Sequence, residues 1–299
     1  MKRPYKLAGI GEILWDVLPQ GKQLGGAPCN FAFHALQTGL ESYVISAIGK
    51  DKDGDEILQV LDTLGLNTSF VQTKDDYQTG TVTVRLDEAG IPDYTIHENV
   101  AWDYIEQDLK LKAFAEEVDA ICFGSLAQRS RVSMATIWSF LENTRPDCLK
   151  VFDINLRQSF YTRETILKSL EFANVLKLND DELSVLASFI GYEGDEESVI
   201  RQLLKEFELK LMAYTKGAMG SILLTHDEIS YSEVRKVEVA DSVGAGDSFT
   251  AFLVAGILNN LELKKIHQAA TDVAAYVCTQ HGATPELPEE LIETIKNNM

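Results

Sequence analysis

The chain has 299 residues, of which 45% are hydrophobic, and its mean hydropathy is -0.07. These values are typical of a globular enzyme with a large buried core. Lysine and arginine number 27 against 46 aspartate and glutamate residues, so the formal net charge is -19. Nucleic acids and anionic membranes bind clustered cations, so we do not expect either as a partner of a chain with this net charge. Any phosphate site must be confined to a small part of the surface.

Targeting signals are not predicted. No apolar run reaches the length of a membrane span, and the amino-terminal apolar stretch is interrupted by Glu12 and lacks a cleavage pattern. The cysteines are scattered without a Cys-x-x-Cys pair, at Cys29, Cys122, Cys148 and Cys278. They are typical of reduced thiols, which predicts a cytoplasmic protein.

The amino-terminal region alternates short strands and helices. A strand is predicted from Tyr5 to Ile13 and leads to Asp16, and a turn is predicted over residues 19–22. The pair Gly25-Gly26 then precedes a helix, and a glycine pair at that place lets the backbone approach a ligand closely. The apolar face of this helix continues through Phe33, Leu36 and Leu40. A second strand, Ser42 to Ile48, and a second helix through Ile57, Leu58, Leu61 and Leu64 follow.

Residues 79–97 have a different pattern. Threonines alternate with Val82, Val84 and Leu86, and a DEAG turn at residues 87–90 precedes an apolar stretch at 94–96. The pattern predicts a β-hairpin with one polar face. A hairpin alone is marginally stable, so it must pack against a ligand, a partner or the main domain.

The remainder predicts a parallel sheet covered by helices. Short apolar strands alternate with helical segments, at Ala120 to Phe123, Leu149 to Ile154, Val175 to Leu178 and Leu209 to Thr215. Ligands in such sheets bind at the carboxyl ends of the strands. Polar segments follow these strands at residues 124–125, 153–157, 179–182 and 215–217, and we expect them to line one rim.

The stretch from Asp241 to Gly256 combines a small-residue turn with the start of an apolar helix. Gly244, Ala245 and Gly246 leave the backbone N–H groups accessible, and a helix start of this kind attracts anions. Asp247 follows in the same turn. It is either a helix cap or a base directed at a hydroxyl that attacks a phosphoryl group.

Two signature stretches resemble those of the ribokinase (PfkB) family of carbohydrate kinases, and the similarity runs through nearly the whole chain. The first is matched by Gly25, Gly26, Pro28, Asn30 and Ala32, with Gly39 and Gly49 beyond them. The second is matched by Asp241, Ser242, Gly244, Ala245, Gly246 and Asp247. One departure is Phe252, where the family usually has glycine or alanine. The segments GEILWDVLP, DINLRQ and FGSLA are most similar to fructokinases and related hexose kinases.

The resemblance implies a sugar site and a catalytic base. Asp16 and Asn30, with the backbone at Gly25 and Gly26, match sugar contacts, and Asp247 matches the base. The Gly244–Asp247 amides then hold the transferring phosphoryl group. Taken alone, Asn30 is more typical of a helix cap than of a ligand contact, and the glycines are more typical of a tight turn. Arg157 resembles a family arginine near the phosphates and substrate, and a structural ion pair is its alternative.

The resemblance also implies ATP and cations. Asn179 and Glu182 match an element that acts on Mg²⁺ through water; the alternative is that Asn179, Asp180 and Asp181 cap the helix that follows. A loop that contacts ATP in the family is matched by Thr215, Lys216 and Gly217. Gly244 and Gly246 also match ATP contacts. Taken alone, Lys216 is typical of a solvated surface charge. Asp241 and the Val243 carbonyl resemble a K⁺ site.

These features predict an ATP-dependent sugar kinase, most similar to a fructokinase, that converts fructose to fructose 6-phosphate. The alternatives are a kinase of another sugar, such as 2-keto-3-deoxygluconate, ribose or another hexose, and a non-catalytic sugar or nucleotide sensor. Relatives that bind the acidic sugar carry an arginine where this chain has His97, which favours a neutral hexose. An NAD-dependent oxidoreductase fits poorly, because Leu14 stands where that glycine fingerprint needs a third glycine.

The implied architecture is an α/β fold. It is a ribokinase-like three-layer α/β/α domain spanning residues 1–299, with a mostly parallel central sheet and a small β lid formed by residues 12–24 and 77–99. The lid is expected to close on the sugar and exclude water. In relatives it also serves as a dimer interface, which predicts a homodimer through the lid.

Overall fold

A computed structural model describes residues 3–19, 21–86, 92–233 and 236–296. The strands are β1 Lys6–Ile10, β2 Leu14–Leu18, β3 Gly21–Gly25, β4 Glu41–Gly49, β5 Asn67–Lys74, β6 Gly80–Leu86, β7 Pro92–Ile96, β8 Ala120–Phe123, β9 Leu149–Asp153, β10 Val175–Asn179, β11 Leu211–Thr215, β12 Ser221–Leu224 and β13 Ile229–Ser232. The helices are α1 Ala27–Gln37, α2 Lys52–Thr63, α3 Leu109–Ala115, α4 Arg131–Glu142, α5 Arg163–Phe172, α6 Asp180–Ile190, α7 Glu196–Glu206, α8 Ala245–Leu258, α9 Leu263–Cys278 and α10 Glu289–Lys296.

The central sheet has nine strands in the order β13-β12-β11-β10-β9-β8-β1-β4-β5. Every pairing from β11 to β5 is parallel, and β12 and β13 extend one edge in antiparallel fashion. The interior strands are apolar over their length because both of their faces are covered; all four residues of β8 are buried. The predicted mostly parallel sheet is confirmed.

Helices cover both faces of this sheet. On β8, Ile121 and Phe123 belong to a core cluster that includes residues of α4 and α5, whereas Ala120 and Cys122 belong to a cluster with α8 and α9. Successive side chains of a strand point to opposite faces, so the two clusters lie on opposite sides of the sheet. The three-layer α/β/α arrangement is therefore confirmed. Phe252, the departure from the family pattern, is fully buried in the second cluster.

A second, four-stranded sheet has the order β3-β2-β6-β7. The predicted pairing within residues 79–97 is confirmed, since β6 and β7 are antiparallel; the DEAG turn lies outside the described residues. Two expectations were wrong. The first strand ends at Ile10, so Asp16 lies in β2 of the second sheet, and the stretch predicted as a turn contributes Gly21 and Lys22 to β3. The β2–β3 hairpin is stabilised by parallel pairing of β2 with β6, a contact between residues about 65 positions apart that local sequence does not display.

The four polar segments expected at one rim follow β8, β9, β10 and β11, which are neighbours in the sheet and parallel. Their carboxyl ends therefore share one edge, as predicted. All four cysteines are free. Within the described ranges, no helix combines the length and the apolar character needed to cross a bilayer.

Candidate active site

The start of α8 is the centre of the site. Gly244 adopts a φ of 81°, and a Cβ atom on it would lie 2.4 Å from the main-chain oxygen of Ala283. Both the left-handed backbone and the close approach therefore require glycine. The amides of Gly246 and Asp247 make no hydrogen bond to any residue that the structure describes. They lie in the first turn of a 14-residue helix, where unpaired N–H groups attract an anion.

Asp247 lies beside these amides and does not cap its own helix. The cap position is Gly244, and one carboxylate oxygen of Asp247 accepts a 2.8 Å hydrogen bond from Asn30 Nδ2. Loss of hydration raises the pKa of Asp247 to about 6, and the charge of Asp153 contributes to the rise. A carboxyl with such a pKa is a better proton acceptor than a solvated one and is still mostly ionised at neutral pH.

Asn30 lies inside α1 rather than at its cap, which is Gly26. Its side chain is buried, and its Oδ1 atom has no hydrogen-bond partner among the described residues. A buried amide oxygen without a partner is suited to accept a hydrogen bond from a ligand hydroxyl. The helix-cap interpretation of Asn30 is therefore wrong, and Asn30 lies directly against Asp247.

Asp16 reaches the site from the second sheet. A Cβ atom on Gly25 would lie 2.4 Å from Asp16 Oδ2, so the glycine leaves room for the carboxylate. Burial raises the pKa of Asp16 to about 6, against the opposing effect of the Arg157 charge. Gly26, with a φ of 116°, packs in the same way against the main-chain oxygen of Glu12. Both glycines therefore allow close packing within the chain, and their contact with a sugar stays a prediction.

Arg157 is exposed on the loop after β9. Its guanidinium bonds only to the carbonyl of Leu156, at 3.1 Å, and forms no ion pair within the described part of the chain. The structural ion-pair alternative is therefore not observed. Its positive charge opposes the pKa rises of Glu12, Asp16 and Asp247.

Asn179 and Glu182 form a capping box at the start of α6. The side chain of each accepts a 2.9 Å hydrogen bond from the main-chain amide of the other, and Glu182 also accepts one from the Leu156 amide. The cap interpretation is thus confirmed for Asn179, whereas Asp180 and Asp181 lie in the first turn of α6. Both residues also line a cleft of about 300 Å³ with Arg157 and Asp181, and their oxygen atoms are the donor type that suits Mg²⁺ and its water shell.

The loop after β11 carries the remaining predicted nucleotide contacts. Thr215 ends the strand, and Gly217, with a φ of 50°, begins a short 3₁₀ helix. Lys216 forms an ion pair of 3.0 Å with Glu196 at the start of α7. The Lys216 ammonium is therefore engaged at the protein surface, and contact with a phosphate would require it to leave Glu196.

Asp241 and Val243 occupy the loop that leads to α8. The Asp241 carboxylate accepts hydrogen bonds from the amides of Val243 and Gly282, at 3.0 and 3.3 Å, and so joins the loop to the carboxyl-terminal segment. A carboxylate and a carbonyl are suitable oxygen donors for K⁺. No cluster of three or more His, Cys, Asp or Glu side chains able to hold a metal occurs among residues 3–19, 21–86, 92–233 and 236–296.

Three buried charged residues at the site were not assigned from sequence. Glu12 is 3% exposed, one of its oxygens lacks a partner in the described chain, and burial raises its pKa to about 7. Lys177 and Asp153 form a buried ion pair of 3.0 Å on β10 and β9. A lysine between leucines in a strand of an interior sheet was a usable signal, because lysine is almost never buried without a partner.

Known proteins are similar to this chain in sequence and in fold. A curated relative, the fructokinase of Salmonella typhimurium, is 28% identical over 93% of this chain and 95% of its own length. An uncharacterized sugar kinase from Pyrococcus horikoshii, solved in complex with ATP, has a TM-score of 0.83 at 24% identity, with 98% of this chain and 100% of that chain covered.

Another structural neighbour is a double mutant of fructokinase from Vibrio cholerae O395 in a form bound to fructose, ADP and potassium ion. It has a TM-score of 0.79 at 21% identity, covering 98% of this chain and 99% of that one. Further matches include a 2-dehydro-3-deoxygluconokinase from Thermotoga maritima. The family model for pfkB family carbohydrate kinases matches residues 16–290. With the ribokinase-like α/β fold, this match establishes that the chain belongs to the pfkB family of carbohydrate kinases.

Proposed function

We propose that this carbohydrate kinase is a fructokinase, which transfers the γ-phosphoryl group of ATP to the 6-hydroxyl of fructose. The observation that carries the proposal is the placement of the Asp247 carboxylate, bonded to Asn30, beside the unpaired amides at the start of α8. The choice of fructose is supported by the similarity to a curated fructokinase over nearly the whole chain.

In this mechanism Asp247 orients the sugar hydroxyl and accepts its proton. The hydroxyl oxygen forms a bond to the γ-phosphorus, the bond to the bridging oxygen breaks, and ADP leaves with that electron pair. The transition state of phosphoryl transfer is loose, so a carboxylate with a pKa of about 6 can accept the proton late. The amides of Gly246 and Asp247, with Gly244 and Ala245 shaping the turn, stabilise the charge on the migrating group.

Asp16 and Asn30 supply the sugar contacts. The Asp16 carboxylate makes no side-chain hydrogen bond within the described residues, so both oxygens can accept bonds from neighbouring hydroxyls of a sugar. Gly25 and Gly26 let the backbone approach the same ligand. Arg157, which is exposed and lines the cleft, binds the substrate or the phosphates.

For ATP, we propose the loop of Thr215, Lys216 and Gly217, with Asn179 and Glu182 acting on Mg²⁺ through water. When bound, Mg²⁺ supplies charge neutralisation for the phosphates. Asp241 and the Val243 carbonyl are the proposed K⁺ donors. The second sheet is the proposed lid and homodimer interface, and the free thiols support a cytoplasmic location.

A coupled assay of ADP release across fructose, glucose, ribose, adenosine and 2-keto-3-deoxygluconate tests the proposal. We expect the largest kcat/KM for fructose and a product phosphorylated at oxygen 6, identified by NMR. A higher value for another sugar would correct the substrate but keep the reaction. Binding of a sugar without turnover of any would instead favour the sensor alternative.

A further inference from the structure

Asp51 joins the start of α2 to the segment that enters the second sheet. Its Oδ1 atom accepts hydrogen bonds of 2.8 Å from the Gly54 amide and 2.6 Å from Thr79 Oγ1, and its Oδ2 atom accepts one of 2.8 Å from the Thr79 amide. Thr79 is buried and directly precedes β6. A helix cap needs only the bond from Gly54. The other two bonds therefore connect α2 to the second sheet.

Two glycines make this contact possible. A Cβ atom on Gly49 would lie 2.6 Å from the Thr79 amide nitrogen and would overlap the Asp51 carboxylate, and a Cβ atom on Gly54 would overlap the Gly49 carbonyl oxygen. The Gly49 amide also donates a 3.0 Å hydrogen bond to Thr79 Oγ1. Gly49 belongs to the first signature stretch, and the packing of Thr79 against Asp51 accounts for it.

The first turns of α2 also hold the other half of the second sheet. Trp15 Nε1 on β2 donates a 3.0 Å hydrogen bond to the Asp53 carbonyl. Lys22 on β3 forms ion pairs with Asp53 and Glu56, and its ammonium lies 4.6 Å from the centre of the Trp15 ring. Residues 51–56 thus contact β2, β3 and the residue before β6, and we call them the lid mount.

The lid mount lies close to a proposed sugar contact. Successive side chains of a strand point to opposite faces, so Trp15 faces α2 and Asp16 faces away from it. Strands β2 and β6 are paired, with Leu14 opposite Gly80. A shift of Thr79, the residue before Gly80, therefore also shifts the strand that carries Asp16.

A positioning role has a kinetic signature. A ligand that binds only when the lid is in place has an apparent affinity that is reduced by the fraction of molecules in which the lid is in place. The proposed ATP contacts lie on the loop after β11 and on α8, outside the second sheet. A loosened mount should therefore weaken sugar binding, while KM for ATP and kcat at saturating sugar are retained.

We propose that Asp51 and Thr79 are positioning residues, which hold the second sheet on the lid mount so that Asp16 reaches the sugar. The inference rests on the proposed kinase reaction and on Asp16 as a sugar contact. In this proposal neither Asp51 nor Thr79 touches the substrate; both act through the position of β6 and β2.

The test compares Thr79→Val, which keeps the shape of the side chain without its hydroxyl, with Thr79→Ser, which keeps the hydroxyl. Steady-state kinetics are measured with the sugar that the wild-type enzyme turns over fastest. Thr79→Val loses both hydrogen bonds of the hydroxyl, so its KM for the sugar should rise about tenfold, with kcat and KM for ATP within twofold of wild type. Thr79→Ser should bring KM for the sugar back to within about threefold of wild type.

The matched control is Thr38→Val, which removes another buried hydroxyl. Thr38 Oγ1 donates a 2.7 Å hydrogen bond to the Ala35 carbonyl at the end of α1. Its loss should leave KM for the sugar within about twofold of wild type, because a general loss of stability lowers the amount of active enzyme and not its affinity.

A rise in KM for the sugar in Thr79→Val, without a rise in the control, supports the proposal. An unchanged KM for the sugar, equal changes for sugar and ATP, or a Thr79→Ser variant no better than Thr79→Val would overturn it. If Thr79→Val does not fold, Trp15→Phe decides: it removes the bond to Asp53 and must raise KM for the sugar at least about threefold, with KM for ATP unchanged.

Failure of the underlying assumptions gives different results. A wild-type enzyme that phosphorylates no sugar would overturn the proposed reaction itself. An Asp16→Asn variant with unchanged kcat/KM would remove the sugar contact through which the lid mount is proposed to act.

Discussion

Replacement of Asp247 by asparagine is expected to lower kcat strongly and to stabilise the fold at the same time. The substitution keeps the size of the side chain and an oxygen that can accept the hydrogen bond of Asn30, but it removes the charge. Loss of a general base typically lowers kcat by about 10²- to 10⁴-fold. Both effects originate in the same carboxylate, which is useful for the reaction and costly for folding.

The stability gain follows from the raised pKa. Burial and the charge of Asp153 raise the pKa of Asp247 from 3.8 to about 6, so an ionised carboxyl costs the folded state about 3 kcal/mol relative to the unfolded chain. Asp247 keeps part of its surface in solvent, which screens part of the cost, and we expect about 1–2 kcal/mol. For a chain of this size the melting temperature should rise by about 2–4 °C.

The pH dependence gives the sign of the effect. Well below pH 3.8 the carboxyl is protonated in both states and costs nothing; the cost grows as pH rises from the unfolded pKa of 3.8 to the folded pKa of about 6 and is complete above it. Melting curves of wild type and Asp247→Asn should therefore diverge from about pH 4 to about pH 7. The control is Asp62→Asn, which removes one exposed charge on α2 and corrects for the net charge of -19.

Equal melting temperatures at pH 8 in Asp247→Asn and Asp62→Asn would refute the reasoning, because a carboxyl without a folding cost is not held in a poorly solvated site. Retention of more than a tenth of the wild-type kcat would separately remove Asp247 as the base. The two readouts therefore distinguish a wrong environment from a wrong role.

Three other substitutions test neighbouring features. Gly244→Ala should lower the melting temperature by about 4 °C more than the control Gly191→Ala. Both glycines have φ near 80°, but of the two only Gly244 lies against the main chain of Ala283. Equal losses of melting temperature would contradict this close approach. Glu12→Gln should become more stable than wild type as pH rises from 5.5 to 8.5, because ionisation of a buried carboxyl with a pKa of about 7 destabilises the folded wild-type protein. A stability difference that does not vary with pH would contradict the raised pKa of Glu12. Asp16→Asn should lower kcat/KM for the sugar by about 10- to 100-fold and leave KM for ATP within twofold, measured by ADP release; a larger change for ATP would move Asp16 out of the sugar site.

Much of the fold was predictable because its signals are local. The strands that became β8 to β11 are apolar runs bounded by polar segments, and the start of α8 has small residues followed by an apolar helical face. Since neighbouring parallel strands share a carboxyl edge, their order in the chain sufficed to place the polar segments on one rim. The β lid was expected over residues 12–24 from the family resemblance, but its strand bounds were not, because the exposed lysine and glutamine of β3 hide a strand and because β6, the second partner of β2, lies far along the chain.

The candidate site was only partly predictable, and the missing part is electrostatic. The signature residues Asn30 and Asp247 could be placed by resemblance, yet their mutual hydrogen bond, across 217 positions, follows from the packing of α1 against α8. The cap interpretations illustrate the same limit: an identical residue type caps α6 at Asn179 but lies inside α1 at Asn30, where it contacts Asp247. The residue type determines which hydrogen bonds an asparagine can form, and the tertiary structure determines which partner it bonds to.

Lys177 is a second residue whose partner could not be predicted from the sequence. Its neighbours in sequence, Leu176 and Leu178, belong to one core cluster on one face of β10, so strand alternation directs Lys177 to the opposite face, toward α8. That face is apolar further along the sheet, and an unpaired ammonium there would be strongly destabilising. Asp153, one strand away, removes the penalty, and Gly246 admits the ammonium beneath the helix start. The charge is therefore tolerated at one place in the sheet, under the amides that are proposed to hold the migrating phosphoryl group.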